Sequence, residues 1–319
     1  MNIHLTFDIE IWCNGWNTLD RSFSACFDRY VYGRSPHGNY ALPKTLEILG
    51  RHGLQGVFFV EPLFAARFGL QHLTTIVRLI RDAGQQVQLH LHPEWTDEIH
   101  PAIIKNNATK RQHLTYYTLQ EQTTLIAYAR DFLERAGSGP VNAFRAGSFA
   151  VNLDTFEALR RNGIPVDSSL NRCYRVSGAD LRDRHVSDAP FTINDVLTYP
   201  ITVFTDGFGR DRPAHVGACS FGEIKDALWS AKKAGLSDFV MVSHNFEMLR
   251  PGSATPAWIV VRRFERLCAY LSENRTALPV SGYATSAASS PPARPANRPS
   301  ATIGSTMYRH VEQLLCRIP

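Results

Sequence analysis

The sequence predicts an α/β protein whose strands form a parallel barrel or a doubly wound sheet. Short apolar segments alternate with segments of helical period between residues 2 and 273, and polar residues follow the apolar segments at their carboxyl ends. Alternation of this kind is typical of parallel sheets covered by helices. The chain has 319 residues, of which 44% are hydrophobic and 20% charged, so it is long enough to bury a large core.

Five segments have the composition of strands. The first alternates polar and apolar residues, as a half-buried strand does, and the last is an almost unbroken apolar run, typical of a strand buried on both faces. A less regular stretch from Val196 to Phe204 is also predicted to be extended, and Pro165-Val166 leads into Asp167. The five segments are Asn2 to Phe7, Val57 to Val60, Gln86 to Leu91, Val141 to Phe144 and Phe239 to Val242.

Helices are predicted between these strands, because apolar residues recur there at helical spacing and several of the runs end at a glycine. Residues 13–40 have many aromatic side chains and no sustained period, which indicates a long excursion with room for short helices. Long loops above strand ends often shape substrate pockets. In chain order the predicted helices are Leu42 to Leu49, Phe68 to Arg81, Leu114 to Ala136, Asn152 to Arg161, Phe221 to Ala234 and Pro256 to Glu273.

The composition changes after Leu278. Residues 281–306 are dominated by Ala, Ser, Pro and Arg, which bury too little apolar area to order the chain, so we expect a flexible linker there. Residues 307–319 predict a short amphipathic helix that docks on its own domain or on a partner. The expected folded domain is therefore residues 1–280. The apolar face of the terminal helix would consist of Met307, Val311, Leu314, Leu315 and Ile318.

Charge and cysteine content argue against several classes of protein. The formal net charge is +5, but the charges are dispersed and form no basic block of the kind that binds nucleic acid. No run of about 18 apolar residues is present, so no membrane span is expected. The six cysteines form no CxxC pair, which favours reduced thiols. The first residues have the pattern of a strand and lack a signal peptide, so we expect a cytoplasmic location.

Polar residues of the types used in catalysis follow the strands at their carboxyl ends. Parallel barrels and doubly wound sheets both collect their sites at this edge. A single strand-end histidine or aspartate is more often an ordinary hydrogen-bonding residue, but recurrence at successive strands predicts one shared site. The residues are Asp8, Glu10, His90, His92, Arg145, Asp167 and His244.

His90 and His92 predict a metal site. They are separated by one position, so on an extended segment both imidazoles project to the same side. Two imidazoles and a carboxylate are a common ligand set for Zn²⁺ or a similar divalent ion, with one position left open for water. Glu94 is a rival ligand if the turn after Pro93 curls back.

Taken in order, the motifs resemble those of the NodB-homology polysaccharide deacetylases, carbohydrate esterase family 4, of the type used in O-antigen and surface-polysaccharide biosynthesis. The resemblance covers residues 3 to about 250. Thr6 to Glu10 is similar to the Thr-Phe-Asp-Asp motif, and Leu42 to Val60 to the helix and strand that follow it. Gln88 to Pro93 resembles the metal-binding histidine motif, Phe144 to Ser148 the Arg-x-Pro-Tyr motif, and Val240 to His244 the final strand with its catalytic histidine.

The resemblance implies a distorted (β/α) barrel and metal-dependent hydrolysis of an acetamide on a sugar. On the matched positions, Asp8 would be the general base and His244 the acid that protonates the departing amine. Glu10, His90 and His92 would hold a divalent metal, with Zn²⁺ the expected ion. The implied reaction is the removal of an N-acyl group, with acetyl the expected acyl group.

The same resemblance gives supporting roles to three other positions. Arg145 would orient Asp8, and Asp167 would polarise His244. A backbone N–H near Ser148 would complete the site that stabilises the oxyanion.

Three departures from the family pattern concern the metal ligands and the wall that faces the sugar. Glu10 stands where the family usually has aspartate, the two histidines are two positions apart instead of four, and Arg145 is not followed by Pro and Tyr. Either the ligand set is altered or Glu94 replaces a histidine. The long excursion over residues 13–40 and the expected cytoplasmic location favour an N-acylated sugar or oligosaccharide that is an intermediate of lipopolysaccharide O-antigen or capsule synthesis.

Two other functions remain as alternatives. An amidohydrolase-type barrel also uses an HxH pair, but on its first strand, whereas here the first strand carries Asp8 and Glu10. A catalytically silent barrel could instead bind glycan through Trp12, Trp16 and Trp95.

Overall fold

An eight-stranded, curled sheet forms the centre of the computed structural model, which describes residues 1–13, 15–105, 109–181, 188–283 and 298–315. The predicted α/β class and the mainly parallel sheet are confirmed, because every neighbouring pair of strands is parallel except the last. Across the sheet the strands follow the order β8-β1-β2-β3-β4-β5-β7-β6. In chain order they are Asn2–Ile9 (β1), Gly56–Val60 (β2), Gln86–Leu91 (β3), Ala143–Ala146 (β4), Val166–Asp167 (β5), Phe191–Ile193 (β6), Val196–Thr198 (β7) and Asp238–His244 (β8).

Helices connect the parallel strands. The long excursion over residues 13–40 contains one nine-residue helix, followed by a turn of π-helix at Asp28–Tyr32 and a small hairpin that pairs Arg34–Ser35 with Gly38–Asn39. A second hairpin pairs Val203–Thr205 with Asp211–Pro213. The helices are Leu19–Phe27 (α1), Leu42–His52 (α2), Ala65–Phe68 (α3), Leu70–Asp82 (α4), Leu119–Arg135 (α5), Leu153–Arg161 (α6), Phe221–Lys233 (α7), Trp258–Glu273 (α8) and Ile303–Leu315 (α9).

The start of α5 shows how a capping pair sets a boundary that hydrophobic periodicity misses. The helix predicted from Leu114 begins at Leu119, after a separate turn of 3-10 helix at Leu114–Tyr116. The Thr118 hydroxyl accepts the Glu121 backbone N–H at 3.3 Å, and the Glu121 carboxylate accepts the Thr118 backbone N–H at 2.9 Å. This reciprocal pair satisfies two free donors of the first turn.

The predicted linker, residues 281–306, is described only at its two ends, and both ends contact the sheet domain. Tyr283 is buried, and its hydroxyl donates to the Ser168 hydroxyl at 2.9 Å. At the other end, the Thr205 N–H donates to the Pro299 carbonyl and the Ala301 N–H donates to the Thr205 carbonyl. Residues 284–297 lie outside the described residues, as do 316–319 of the predicted terminal helix.

The terminal helix α9 docks on the domain with its polar face, whereas we expected the apolar face to dock. The buried side chains of the helix are Thr306, Arg309 and Glu312. Arg309 pairs with Glu223 on α7 at 2.9 Å, and Glu312 pairs with Arg263 on α8 at 2.7 Å. These buried ion pairs fix the orientation of the helix. The apolar side chains Ile303, Met307, Val311, Leu314 and Leu315 are each more than half exposed.

None of the helices in the described ranges has the length and apolar character needed to cross a lipid bilayer. The helices instead pack their apolar sides onto a sheet whose central strands are almost wholly buried. This support places the carboxyl ends of β8, β1, β3 and β4 at the same edge of the sheet, with β2 between β1 and β3, and this edge carries the candidate site.

Candidate active site

The parallel register brings most of the predicted site residues together. Asp8 at the end of β1 lies opposite His244 at the end of β8, and His90 on β3 lies opposite Arg145 on β4. Asp8, Glu10 and His244 each offer a ligand-type atom, and these atoms lie within 4.8 Å of one another. The strand-end residues therefore form one cluster.

Glu10, His90 and His92 form the centre of this cluster. The Oε1 atom of Glu10 lies 3.0 Å from His90 Nε2 and 3.0 Å from His92 Nε2. All three side chains are buried. The other carboxylate oxygen, Oε2, accepts the Trp12 indole N–H at 2.7 Å. Trp12 therefore occupies one oxygen of Glu10 and leaves the other to face the two histidines.

The far sides of both imidazoles have fixed partners. His90 Nδ1 lies 2.8 Å from the backbone carbonyl of Arg145, and His92 Nδ1 lies 3.3 Å from the Glu94 carboxylate. A carbonyl or carboxylate behind the imidazole is the usual second partner of a metal-bound histidine. Glu94 thus contacts the back of His92 and stands outside the three-residue group that could hold an ion.

These contacts leave the Nε2 atoms of His90 and His92 suited to bind a cation. Because the Arg145 carbonyl can only accept, His90 must carry a proton on Nδ1, and a neutral ring then presents a lone pair to the Glu10 carboxylate. Two facing lone pairs need a proton or a cation between them. Burial alone would raise the pKa of Glu10, but the charge of His92 and its hydrogen bond to Glu10 hold it well below its usual value. Burial opposes the charge of His92, but Glu10 raises the pKa of His92 well above its usual value.

Asp8 is held by a fully buried arginine. Arg145 Nη1 donates to Asp8 Oδ1 at 2.7 Å, while its Nε and Nη2 donate to the carbonyl and hydroxyl of Ser168, each at 2.9 Å. The guanidinium also lies over the Phe59 ring, 4.3 Å from its centroid. Within the described residues, no donor reaches Asp8 Oδ2. Arg145 therefore fixes the carboxylate and leaves one oxygen for chemistry.

His244 is paired with Glu247, which lies three residues further along the chain. His244 Nδ1 is 2.7 Å from Glu247 Oε1, and the same oxygen contacts His215 Nε2. The Ser243 hydroxyl donates to Glu247 Oε2 at 2.8 Å. Burial alone would lower the pKa of His244, but the hydrogen bond and charge of Glu247 raise it to about 9.

Asp167 does not contact His244, contrary to the role expected from the sequence. Its carboxylate accepts the Ser169 hydroxyl at 2.5 Å and the Thr198 hydroxyl at 2.8 Å, and burial raises its pKa. The sheet order explains the difference, because four strands separate β5 from β8. Ser169 in turn accepts the Ala146 N–H at 2.9 Å, so Asp167 supports the end of β4.

The turn after β4 packs closely against the cluster formed by Glu10, His90 and His92. A Cβ at Gly147 would lie 2.6 Å from the His92 ring, so only glycine fits at this position. Ser148 and Phe149 follow with φ values of 54° and 56°. Two consecutive non-glycine residues in this region are unusual, and such strain is concentrated at functional sites.

Comparison with solved structures shows the fold. A protein described as a polysaccharide deacetylase, from Mycobacterium smegmatis, matches with a TM-score of 0.52 and 16% sequence identity, over 90% of this chain and 94% of that one. This chain has the fold of the polysaccharide deacetylases. A family 4 carbohydrate esterase from Streptomyces lividans, solved in complex with acetate, is 13% identical over 92% of this chain and 97% of that one, with a TM-score of 0.44. No family model and no curated protein matches the sequence.

The distorted barrel expected from the motifs is thus confirmed, but the site also contains His215 and Glu247, which were not predicted from the sequence. Trp12 was considered only as a sugar-binding residue, whereas its indole holds Glu10. His215 carries no local signal, because an irregular segment brings it to the site. Glu247 could have been found from its spacing, since a carboxylate three residues after His244 can reach the imidazole within one turn. The glycan platform of three tryptophans does not form, because Trp95 is only 2% exposed and packs against Trp16.

Proposed function

We propose that this protein is a metal-dependent hydrolase that removes an N-acyl group, with acetyl expected, from a sugar of a bacterial surface polysaccharide or its biosynthetic intermediate. The proposed substrate is an intermediate in the cytoplasm. The observation that carries the proposal is the grouping of Asp8 and His244 around the Glu10, His90 and His92 cluster. A base, an acid and a metal-type ligand set within one cluster are the parts that amide hydrolysis requires.

The ligand atoms for the metal would be Glu10 Oε1, His90 Nε2 and His92 Nε2. Nitrogen and carboxylate donors of this number suit Zn²⁺ or a similar divalent ion, with a position left for water. Such an ion, when bound, polarises the acyl carbonyl and lowers the pKa of water to about 7. Each ligand has its own partner behind it: Trp12 holds Glu10, the Arg145 carbonyl holds His90, and Glu94 holds His92.

Asp8 is the proposed general base. Its Oδ2 atom accepts a proton from the water that attacks the acyl carbon, while Arg145 holds Oδ1 and keeps the carboxylate oriented. The water oxygen forms the new bond to the carbonyl carbon, and the C–N bond of the amide later breaks. The N–H groups of Ser148 and Phe149, in the turn that touches His92, are the proposed donors to the oxyanion.

His244 is the proposed general acid. Its Nδ1 faces Glu247 at 2.7 Å, which leaves Nε2 to donate a proton to the departing amine nitrogen. An amine leaves readily only after it is protonated. Glu247 is a positioning residue, because it holds the ring through Nδ1 and favours its charged form. The products are a carboxylic acid and an amino sugar.

The proposal is tested by measuring acid release and new amine together. Zinc-loaded protein is incubated with a panel of N-acetylated sugars, sugar nucleotides and oligosaccharides, and the Asp8→Asn variant is compared with wild type. We expect acetate and amine to appear in equal amounts and to fall by about 10²–10⁴ in the variant, the usual contribution of a general base. Equal release by wild type and the variant, or none from any member of the panel, contradicts the proposal.

A further inference from the structure

A cavity of about 540 Å³ opens beside the candidate active site. Its lining includes His215 and Glu247, the two residues that contact each other beside His244. The rest of its wall comes mainly from the segment after β8, from the start of α8 and from the end of α9. The main apolar lining residues are Phe246, Leu249, Trp258, Ile259, Val260 and Leu315.

Aromatic contacts connect the cavity directly to the proposed acid. The Phe246 ring stacks on the His244 ring with centroids 5.3 Å apart, and the Tyr30 ring meets Phe246 edge-on at 5.4 Å. Tyr30 also lines the cavity. A group that fills the cavity would therefore lie next to a sugar held at His244.

Two apolar side chains that line the cavity are substantially exposed to solvent. Trp258 is 41% exposed and Leu315 is 51% exposed. The position of Leu315 is set by the docked helix, because Arg309 and Glu312 hold α9 to the domain by buried ion pairs. Covering such a surface with an apolar group is favourable, because it removes apolar area from water.

Two cations accompany this apolar lining. Arg29 and Arg250 line the cavity, and within the described residues neither pairs with a carboxylate. Arginine is well suited to bind a phosphate, because its planar fork donates two parallel hydrogen bonds. An occupant with an aliphatic chain and an anionic group would match both kinds of lining residue.

We propose that this cavity binds the aliphatic chain of an amphipathic substrate, in which the N-acylated sugar is joined to a lipid through an anionic group such as phosphate. The inference rests on the proposed function, because it assigns the class of molecule that carries the sugar. A soluble glycan would leave the apolar wall of the cavity exposed to water. A lipid-linked sugar places its sugar at His244, its anionic group near Arg29 and Arg250, and its chain against Trp258 and Leu315.

The test measures binding and does not require hydrolysis. Octyl phosphate, below the concentration at which it forms micelles, and ethyl phosphate are each titrated calorimetrically into the full-length protein. We expect octyl phosphate to bind at least about 50-fold more tightly, since burial of only three of its six additional methylenes gives about that factor. Equal affinity for the two phosphates overturns the inference.

Two pairs of surface variants test where the alkyl chain of octyl phosphate binds. Leu315→Glu and Trp258→Ala should weaken binding of octyl phosphate at least tenfold. Leu314→Glu and Trp229→Ala are the matched controls, because these side chains are exposed but do not line the cavity, and they should change affinity less than twofold. Equal losses in a variant and its control would mean that the chain adheres to the surface, which contradicts the inference.

The outcomes for the two proposals are separable. Protein that hydrolyses an N-acylated sugar but does not prefer octyl phosphate overturns the lipid-linked substrate and leaves the hydrolase. Protein that binds octyl phosphate through Leu315 and Trp258 but hydrolyses no lipid-linked or free N-acylated sugar retains the alkyl site and contradicts the proposed function.

Discussion

The two ends of strands β1 and β8 carry the same types of residue but differ in how completely these residues are hydrogen-bonded. At the amino end, His4 pairs with Asp238 at 2.9 Å, and its other ring nitrogen contacts the Ser281 carbonyl at 3.1 Å. At the carboxyl end, Asp8 and His244 lie opposite each other in the same register. Each end therefore combines a histidine with an aspartate.

The difference lies in what remains unpaired. Both ring nitrogens of His4 have partners within the chain, and the Tyr283 ring stacks on the imidazole with centroids 4.8 Å apart. At the carboxyl end, no donor in the described part of the chain reaches the second oxygen of Asp8, and the Nε2 atoms of His90 and His92 face the Glu10 carboxylate. We call the amino end of β1 and β8 the closed end, because its polar groups are paired, and the carboxyl end the open end. Paired polar groups contribute to stability, whereas unpaired ones are available to bind substrate, metal or a proton. The division matches the general rule for parallel barrels, in which the carboxyl end carries catalysis.

The strongest test of this comparison is the loss of the proposed acid. His244→Gln should lower kcat/KM by about 10²–10⁴, the usual contribution of a general acid. Its free energy of unfolding should change by less than about 1 kcal/mol, because the side chain is about one-quarter exposed. Steady-state kinetics and urea unfolding measure the two effects, and a stability loss that matches the activity loss would remove the contrast between the ends.

A smaller effect is expected at Glu247, which acts through His244. Glu247→Gln should lower kcat by about 10- to 100-fold and leave KM within about threefold, because the variant loses the charge that favours the imidazolium. Glu247→Asp should recover part of kcat. If KM rises while kcat stays the same, Glu247 contacts substrate instead of positioning the acid.

The matching change at the closed end should affect stability alone. Asp238→Asn should lower the free energy of unfolding by about 1–2 kcal/mol, since a hydrogen bond to a charged group is weakened. Activity should remain within twofold of wild type. Urea unfolding and the deacylation assay check both parts, and a tenfold loss of activity would show that the two ends are not separate.

Acidification should reduce the difference in unfolding free energy between wild type and Asp238→Asn. Burial alone would raise the pKa of Asp238, but the hydrogen bond and the charge of His4 lower it below its usual value. A lowered pKa contributes stability above the unfolded-state value of about 3.9, and that stability is lost as pH falls through the folded-state value. Wild type and Asp238→Asn should therefore differ in unfolding free energy at pH 6, and this difference should shrink as pH falls below about 4. A gap in the unfolding free energy that stays constant to pH 3 contradicts the charge of Asp238 as its source.

The open end could be predicted from the sequence because parallel strands bring their carboxyl ends together. That rule is sufficient for Asp8, His90, His92 and His244, whose positions depend only on the strand that carries each one. It fails for Asp167, because the sequence does not reveal that four strands separate it from His244. Which strand-end side chains contact each other depends on the order of the strands in the sheet.

The terminal helix shows a second limit. Its period was visible in the sequence, but the face that docks is decided by buried partners, Arg309 with Glu223 and Glu312 with Arg263. These pairs join residues 49 or more positions apart. Hydrophobic periodicity describes one helix at a time and carries no information on such pairs.

The central claim, that the open end holds a metal ion, is tested most directly by elemental analysis after reconstitution with Zn²⁺ and dialysis. Wild type is compared with His90→Ala and with His4→Ala, which removes an equally buried histidine from the closed end. We predict about one Zn²⁺ per chain in wild type and in His4→Ala, and loss of the ion in His90→Ala. Wild type that retains no ion, or His90→Ala that retains as much as wild type, would contradict the account.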